Sequence, residues 1–236
     1  MTGKLRERSN QRCAGLALPL QMVSSNYHER IWEALPEGLT PSDLKLRLAF
    51  LLEHARSAQN PGGAPGRVLD VGCGEGHFAA ELARAGLHVI AVDVAEEPLR
   101  RARKKHADLD LRLVPVEGPW PFADASFDIA WAGETIEHIA DTAGWLSELR
   151  RVLRPGGSLL LSTPAHERLA MLALAVSHRR FDAHFDPRSD HLRFYTSRTL
   201  ARLLEGFGFE DIHVRKAVGL PGARRLLLAT ARRSRF

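Results

Sequence analysis

Residues 67–94 read RVLDVGCGEGHFAAELARAGLHVIAVDV, and this stretch decides the fold. A short apolar run at residues 68–71 predicts a buried strand, and residues 76–85 predict an amphipathic helix. Between them lies a G-x-G-x-G turn whose glycines let the backbone turn sharply and approach a ligand: Gly72, Gly74 and Gly76. The turn follows the carboxyl end of a strand, which is where open α/β sheets bind their ligands.

The alternation of strand and helix continues beyond this stretch. Further strands are predicted at residues 88–92, 111–116, 127–132 and 158–162, with helices at 96–106 and 143–153. Thr196 or Ser197 then caps a helix, and two final strands are predicted at 209–216 and 224–231. Strands separated by helices predict a parallel sheet covered on both faces. The fold class is therefore α/β, a Rossmann-like, doubly wound sheet.

The chain divides into three regions. Residues 1–25 are expected to form a mobile tail, and residues 26–60 two helices, the second capped by Ser42. Four leucines should form the buried face of that second helix: Leu44, Leu48, Leu51 and Leu52. The main domain is expected at residues 61–236, with an insertion at about 165–196 that covers the substrate.

Composition limits the possible classes of protein. The net charge of +5 comes mostly from arginine, whose scattered placement favours solvated surfaces over a polyanion-binding face. Two cysteines, Cys13 and Cys73, are too few for a disulfide framework, so a cytoplasmic protein is expected. No run approaches the roughly 18 apolar residues of a membrane span.

The residues around the glycines favour a nucleoside-based methyl donor over a dinucleotide. The dinucleotide fingerprint needs a glycine at position 77, where this chain has His77. Asp93, at the end of the second strand, is placed to accept hydrogen bonds from ribose hydroxyls. Asp70 is placed to hold the loop or to receive a ligand amine. Glu75 and the lack of basic residues at 70–76 disfavour a polyphosphate and favour a cationic, zwitterionic nucleoside.

Five elements together resemble the class I S-adenosylmethionine-dependent methyltransferases. They are DVGCGEG (70–76), Asp93, PFADASFDIAW (121–131), the E-x-x-E-H segment (134–138) and LRPGGSLLLSTP (153–164). The resemblance implies seven strands with a reversed last strand, and S-adenosylmethionine as the cofactor. Gly72 and Gly74 would line its methionine part, and Asp93 would hold its ribose.

The resemblance also implies further cofactor contacts: Asp70, Cys73, Gly76, Val94 and Val116. The family usually has an aspartate at the position of Pro115 to bind the adenine amine, and this chain lacks it. Val116 and the nearby backbone are then expected to flank the adenine.

The E-x-x-E-H segment admits three interpretations. Glu137 and His138 could tie down a loop, or His138 could be the general base that deprotonates an acceptor hydroxyl. The third is a divalent metal site formed by Glu134, Glu137 and His138, completed by His184 or His191. This segment resembles the metal site of ubiquinone-pathway O-methyltransferases and small-RNA 3′-terminal 2′-O-methyltransferases.

The acceptor pocket is expected where other segments cover the carboxyl edge of the sheet. The candidates are Tyr27, Arg30 and Trp32 near the N-terminus, and an aromatic group in the insertion: Phe181, Phe185, Phe194 and Tyr195. These aromatic residues either form a lid over an apolar acceptor or pin the insertion to the core.

The predicted function is methyl transfer to a small-molecule acceptor, at oxygen. One alternative is a metal-dependent RNA 2′-O-methyltransferase, which the lack of an aromatic and basic strand face disfavours. Another is a non-catalytic homologue that binds the cofactor. The oligomeric state is left open.

Overall fold

The computed structural model of the protein describes residues 27–55, 65–116, 118–220 and 224–235. The predicted mobile tail lies wholly outside the described residues. The turn between the N-terminal helices and the first strand lies largely outside them.

Helices and strands alternate along most of the chain. The helices are α1 (Tyr27–Ala34), α2 (Leu44–Ala55), α3 (His77–Arg84), α4 (Glu96–Lys105), α5 (Thr142–Val152), α6 (Arg168–Ala175), α7 (His178–His184) and α8 (Ser197–Gly206). The strands are β1 (Arg67–Val71), β2 (His88–Asp93), β3 (Asp110–Leu113), β4 (Phe127–Gly133), β5 (Leu153–Pro164), β6 (Phe209–Ala217) and β7 (Leu226–Arg233). A 3-10 turn spans Ile136–His138.

The strands form one seven-stranded sheet in the order β3-β2-β1-β4-β5-β7-β6. Pairing is parallel from β3 through β5, while β7 runs antiparallel to both β5 and β6. The predicted doubly wound sheet with a reversed last strand is confirmed. Strand order reverses between β1 and β4, so their carboxyl ends open the crevice in which such sheets bind ligands.

The core consists of two layers because successive side chains of a strand point to opposite faces of the sheet. In β1, Leu69 belongs to the layer beneath α5 and α8, whereas Val68 belongs to the layer beneath α2 and α3. In β4, Ala130 and Trp131 alternate in the same way. Burial on both faces explains why these strands are nearly continuous apolar runs.

Two strands differ from their predicted bounds by three or more residues at one end. β3 ends at Leu113 rather than at 116, because Pro115 has no N–H to continue the ladder. β5 begins at Leu153 rather than at 158, and its pairing with β4 shifts register across the R-P-G-G residues. This segment is therefore an irregular part of the strand and not a separate turn.

Helix α2 also differs from its prediction. It begins at Leu44, where the Arg47 amide donates a hydrogen bond to the Asp43 carbonyl at 3.1 Å, so its first turn closes on Asp43 rather than on Ser42. Of the four predicted leucines only Leu51 is buried, and Arg47 is buried among the apolar residues of this face. The other three leucines are half-buried against the core layer beneath α2 and α3, so the apolar period located the helix and most of its inner face but not the buried Arg47.

The insertion joins the sheet at a few points only. Its last residues pair with the edge beyond β5, where the His166 amide donates to the Tyr195 carbonyl at 2.8 Å. Neither α6 nor α7 buries a residue. Thr196 caps α8 through a reciprocal hydrogen-bond pair with Thr199, which confirms the predicted helix start. No helix among the described residues is long and apolar enough to cross a membrane.

Candidate active site

The glycine loop lies at the carboxyl ends of β1 and β2. The amides of Gly72 and Cys73 donate to the Val92 carbonyl, at 2.9 and 3.0 Å. Gly72 has a φ of 73°, which favours glycine. A Cβ at that position would lie 2.7 Å from the Thr135 hydroxyl oxygen. The loop therefore requires glycine here both for its backbone angle and for its contact with the segment that follows β4.

Cys73 and Gly76 face the protein rather than the crevice. The Cys73 thiol is buried in the core layer beneath α2 and α3, and burial raises its pKa well above the ordinary value. A Cβ at Gly76 would lie 3.3 Å from the His106 ring and from Leu109. Their predicted cofactor contacts can therefore involve only the backbone of the loop.

Asp93 ends β2 and holds the loop closed. Its Oδ2 accepts a hydrogen bond from the Gly74 amide at 2.9 Å, and its Oδ1 accepts from the amides of Val94 and Ala95 at 2.8 and 3.1 Å. Burial raises the pKa of Asp93 to about 6. A carboxylate has about four acceptor positions, so roughly one remains for a ligand hydroxyl.

Asp70 and Arg47 are buried beside the loop with incomplete hydrogen bonding. Asp70 is 1% exposed, and its Oδ2 has no partner among the described residues. Burial and the charge of Asp93 raise the pKa of Asp70 to about 7. Arg47 is 2% exposed; its Nη1 donates to the Ser42 carbonyl at 3.2 Å, but its Nε finds no partner in the described chain.

The Arg47 guanidinium lies at the carboxyl edge of the sheet. It sits 4.7 Å from the centre of the Phe78 ring and contacts the position where a side chain on Gly133 would be. Burial lowers its pKa, while the charges of Glu134, Glu137 and Asp70 oppose that effect. Arg47 was not among the site residues predicted from the sequence. The available signal was a single charge inside LRLAFLL, on the face that the apolar period assigns to the core.

Helix α1 covers the loop. A Cβ on Gly74 would lie 3.0 Å from the Trp32 indole, so Trp32 lies against the glycine loop. The Glu29 carboxylate accepts hydrogen bonds from the first amides of α4, at 2.7 and 2.9 Å, where the helix dipole favours a negative charge. Arg101 of α4 donates to the carbonyls of Trp32 and Leu35 at 2.8 and 3.0 Å. These contacts fix both ends of α1.

Glu75 points away from the crevice. It is 2% exposed, accepts hydrogen bonds from the Gly38 amide at 3.0 Å and pairs with Lys105 and Arg101. Burial favours a higher pKa, but these partners hold the pKa of Glu75 below its ordinary value. Its charge is thus neutralised within the protein. The predicted unsuitability for a polyphosphate therefore depends on Asp70, on Asp93 and on the lack of basic residues at 70–76, and not on Glu75.

The chain beyond β3 forms the side of the crevice where the adenine was expected. Pro115 is exposed, and its carbonyl accepts a hydrogen bond from the Trp120 indole at 2.9 Å. Val116 is half-buried and packs against the core layer beneath α5 and α8. Val94 is also half-buried, at the end of β2. This side thus offers apolar surface and backbone groups in place of a carboxylate.

The E-x-x-E-H segment forms the opposite side of the site. Glu137 is 1% exposed; its Oε2 accepts from the Thr163 hydroxyl at 2.9 Å, and its Oε1 lacks a partner within the described residues. Burial raises the pKa of Glu137 to about 7. His138 Nδ1 lies 2.9 Å from the Asp190 carbonyl oxygen. Because a carbonyl only accepts, Nδ1 must carry the proton in this arrangement, and Nε2 has a free lone pair.

His191 of the insertion joins Glu137 and His138. Ligand atoms of these three residues all lie within 4.8 Å of one another. The His138 and His191 rings meet edge to face with centres 4.9 Å apart. Of the predicted metal ligands, Glu137 and His138 are therefore close together, and His191 rather than His184 lies beside them.

Glu134 occupies a different part of the site. It follows β4 directly with a φ of 57°, a strained conformation for a side-chain-bearing residue. Its Oε1 is buried and has no partner in the part of the chain that is described. Burial, followed by repulsion from Glu137, raises its pKa to about 7, and Arg47 opposes this shift. Glu134 is not among the three residues whose ligand atoms lie within 4.8 Å of one another.

The aromatic residues of the insertion form a loose group. The rings of Phe181, Phe185 and Phe194 are in contact and about two-fifths exposed, while Tyr195 is buried in the core. His166 and His184 lie beside them, with ring centres 5.2 Å apart. The insertion thus approaches the side of the site formed by the E-x-x-E-H segment, which is the expected acceptor side. Most of the apolar surface of the insertion remains exposed to solvent.

Comparison with known proteins supports a methyltransferase. A family model described as a methyltransferase domain matches residues 41–214. The malonyl-[acyl-carrier protein] O-methyltransferase of Erwinia pyrifoliae is 44% identical over 48% of this chain and 41% of that protein. The ubiquinone biosynthesis O-methyltransferase of Dinoroseobacter shibae is 32% identical over 68% of this chain and 66% of that protein. The chain therefore spans about half the length of the curated relatives that it matches.

Solved structures share the fold. The Haemonchus contortus phosphoethanolamine N-methyltransferase 2, solved with phosphomonomethylethanolamine and S-adenosylhomocysteine, superposes with a TM-score of 0.65 at 19% identity, covering 89% of this chain and 58% of that one. A methyltransferase from Mesorhizobium loti gives 0.59 at 22% identity, covering 78% and 98%. The strand order and the glycine loop define the class I methyltransferase fold. The chain belongs to the methyltransferase domain family, and its fold is that of the class I S-adenosylmethionine-dependent methyltransferases.

Proposed function

We propose that the protein transfers a methyl group from S-adenosylmethionine to an oxygen atom of a small-molecule acceptor. The observation that carries this proposal is the pair of incompletely bonded, buried groups beside the glycine loop. A buried polar atom without a partner costs about 1–3 kcal/mol, so two of opposite charge at one crevice indicate a ligand that completes them.

The donor fits these residues. Its methionine end carries an α-ammonium and an α-carboxylate, which complement Asp70 Oδ2 and Arg47 Nε. Asp93 keeps about one acceptor position for a ribose hydroxyl after binding three amides. Val94 and Val116 provide half-buried apolar contacts for the adenine.

Little further chemistry is required from the protein. When bound, S-adenosylmethionine supplies an already activated methyl group on a sulfonium. The protein has to align the acceptor atom with that group and exclude water. Both curated relatives reported above are O-methyltransferases by name, which supports oxygen as the acceptor atom.

His138 is the proposed general base. Its Nδ1–H donates to the Asp190 carbonyl, which orients the ring and leaves Nε2 available. The ring is partly exposed toward the acceptor side, with 23% of its side-chain surface accessible. His138 Nε2 can therefore take the proton of an acceptor hydroxyl. Glu137, 3.9 Å from that nitrogen, would stabilise the resulting imidazolium.

A divalent metal is the second proposal for the same residues. The unpartnered Glu137 Oε1 together with His138 and His191 is a donor set suited to zinc or manganese. A metal held there would lower the pKa of an acceptor hydroxyl. Glu134, which was predicted as a ligand, would then not bind the metal but would add a negative charge near it.

The decisive experiment measures S-adenosylhomocysteine production from methyl-labelled donor with a panel of hydroxylated small molecules and a structured RNA. His138→Ala should reduce turnover by about 10²–10⁴ and leave S-adenosylhomocysteine affinity unchanged, because His138 lies outside the donor crevice. His178→Ala, on the exposed helix α7, is the matched control.

Each outcome separates the alternatives. Loss of activity in chelator, restored by zinc or manganese, would assign the three residues to a metal. Methylation of the RNA alone would support the nucleic-acid function. Donor binding without any transfer would support a non-catalytic homologue, and full activity in His138→Ala would leave His138 with a structural role. A cytoplasmic location remains a prediction from the low cysteine content.

A further inference from the structure

Helix α6 exposes an apolar stripe that the proposed methyl transfer does not use. Leu169, Leu172 and Val176 are 60%, 64% and 83% exposed. Their spacing of three and four residues places them on one face of the helix. Such a stripe normally packs against a protein core, whereas α6 buries no residue.

The exposed apolar surface is concentrated in this part of the molecule. Seven of the eleven large apolar residues that are exposed in the described chain lie in the insertion: Leu169, Leu172, Val176, Phe181, Phe185, Leu192 and Phe194. A half-open surface groove of about 380 Å³ lies beside the stripe, and Arg168, Leu169 and Leu172 are the described residues that line it. Concentrated surface of this kind marks an interaction site.

The charges around the stripe specify the kind of partner. Residues 168–184, which span α6 and α7, contain three arginines and one acidic residue, Asp182, so their net charge is +2. Arg168, Arg179 and Arg180 are exposed, and none of them forms an ion pair with any described residue. The acidic residues that flank the segment form ion pairs: Glu167 pairs with Lys216, and Asp186 pairs with Arg188. The segment is therefore apolar and basic.

We infer that the α6–α7 segment docks on an anionic lipid surface, with its apolar stripe in the headgroup boundary and its arginines on lipid phosphates. A helix with leucine on one side and arginine beside it suits this position. Anionic lipids supply about 1 kcal/mol per basic residue near the surface. A second copy of the chain is a poorer partner, since a two-fold interface would bring the unpaired arginines of both copies together.

The position of the α6–α7 segment determines where a docked membrane would lie. α6 begins four residues after β5 ends, at the carboxyl edge of the sheet where the acceptor side of the site lies. A membrane that contacts α6 would therefore lie next to the acceptor side. The docking does not depend on the proposed function, because it can be measured without any methyl transfer.

The test is co-sedimentation of the full chain with vesicles of phosphatidylcholine alone and of equimolar phosphatidylcholine and phosphatidylglycerol. The wild type should bind the mixed vesicles at least about tenfold more tightly than the neutral ones, and less tightly as salt is raised. Leu169→Ser/Leu172→Ser should weaken binding to the mixed vesicles at least about tenfold, through lost apolar burial. Arg179→Ser/Arg180→Ser should weaken it by a similar factor.

Matched controls come from exposed residues elsewhere. Leu113→Ser on β3 and Arg198→Ser/Arg202→Ser on α8 change the same residue types and should bind within about twofold of the wild type. Absence of binding to mixed vesicles would overturn the inference. So would a wild-type dimer, seen by light scattering, that Leu169→Ser/Leu172→Ser dissociates. Equal weakening by the control variants would also contradict it.

Discussion

At the scale of single residues, the proposed donor site contains two buried carboxyl groups whose negative charges repel each other. Asp70 is buried beside Asp93, and burial together with that second charge raises the pKa of Asp70 to about 7. A backbone hydrogen bond from Ala79 and the charge of Arg47 oppose this shift of the Asp70 pKa. This arrangement lowers the stability of the ligand-free protein. A ligand that carries both a cationic and an anionic group would relieve the unfavourable charges when it binds.

Asp70→Asn tests this charge balance. A raised folded-state pKa means that the contribution of Asp70 to stability is present below about pH 4 and is lost as the pH rises through about 7. The variant should therefore exceed the ligand-free wild type in free energy of unfolding at pH 8, by an amount on the scale of about 1.4 kcal/mol per pKa unit. Urea unfolding of the variant and the wild type at pH 8 and at pH 4 measures this difference.

The difference should fall to about 0.5 kcal/mol at pH 4, where the folded-state carboxyl is protonated and the unfolded-state carboxyl is about half protonated. Asp124→Asn, at an exposed carboxylate that pairs with Arg151, is the control and should show no gain at pH 8. A variant less stable than the wild type at pH 8 would contradict the assigned environment of Asp70.

Residues that follow apolar runs could be located from the sequence. Asp70 lies next to the last residue of one predicted strand and Asp93 directly follows another, and parallel strands bring their carboxyl ends to one edge. Arg47 could not be located in this way, because its burial depends on how α2 packs on the sheet. His191 lies 53 residues beyond His138 and reaches it only through the path of the insertion, so the sequence offered it as one of two candidates.

At the scale of elements, α1 is held over the glycine loop by hydrogen bonds to α4 and by half-buried side chains, among them Trp32. None of its residues is fully buried, so its local stability depends on Glu29 and on Arg101. Trp32 is the part of α1 that touches the loop. The helix is therefore expected to open and close independently of the sheet.

Arg101→Ala should release α1 while the sheet stays folded. The variant loses two charged hydrogen bonds to the carbonyls of Trp32 and Leu35, each worth about 1.5–3 kcal/mol. Tryptic cleavage after Arg30, followed by mass spectrometry, should then be at least about tenfold faster. Arg103→Ala removes an exposed arginine that pairs with Glu96 and should leave the rate unchanged. An unchanged rate in Arg101→Ala would show that other contacts hold α1.

The elements themselves were largely predictable, because their apolar periods are strong. The start of α8 followed from its capping residue, Thr196, which the structure confirms. The failures have local causes: Pro115 shortens β3, and a shifted register lengthens β5 through residues 154–157. Neither the missing ladder bond nor the register shift changes the apolar pattern on which the prediction depended.

At the scale of the molecule, one sheet edge carries both proposed sites. The proposed donor crevice lies over β1 and β2, and the proposed acceptor side lies over β4 and β5. Glu137 connects the second side to the insertion, because its carbonyl accepts hydrogen bonds from the amides of Leu192 and Arg193 at 2.8 and 3.0 Å. The sheet topology followed from the sequence alternation, but the outward-facing stripe of α6 did not, since an apolar period alone predicts burial.

The most direct test of the donor site is calorimetric titration of the full chain with S-adenosylhomocysteine, comparing the wild type, Arg47→Met and Lys45→Met. The wild type should bind with micromolar or tighter affinity. Arg47→Met should bind about 10- to 100-fold more weakly, because a charged hydrogen bond contributes about 1.5–3 kcal/mol, whereas the exposed Lys45 should not matter. Absence of binding to the wild type, or equal affinities in all three proteins, would contradict the assignment of this crevice to the methyl donor.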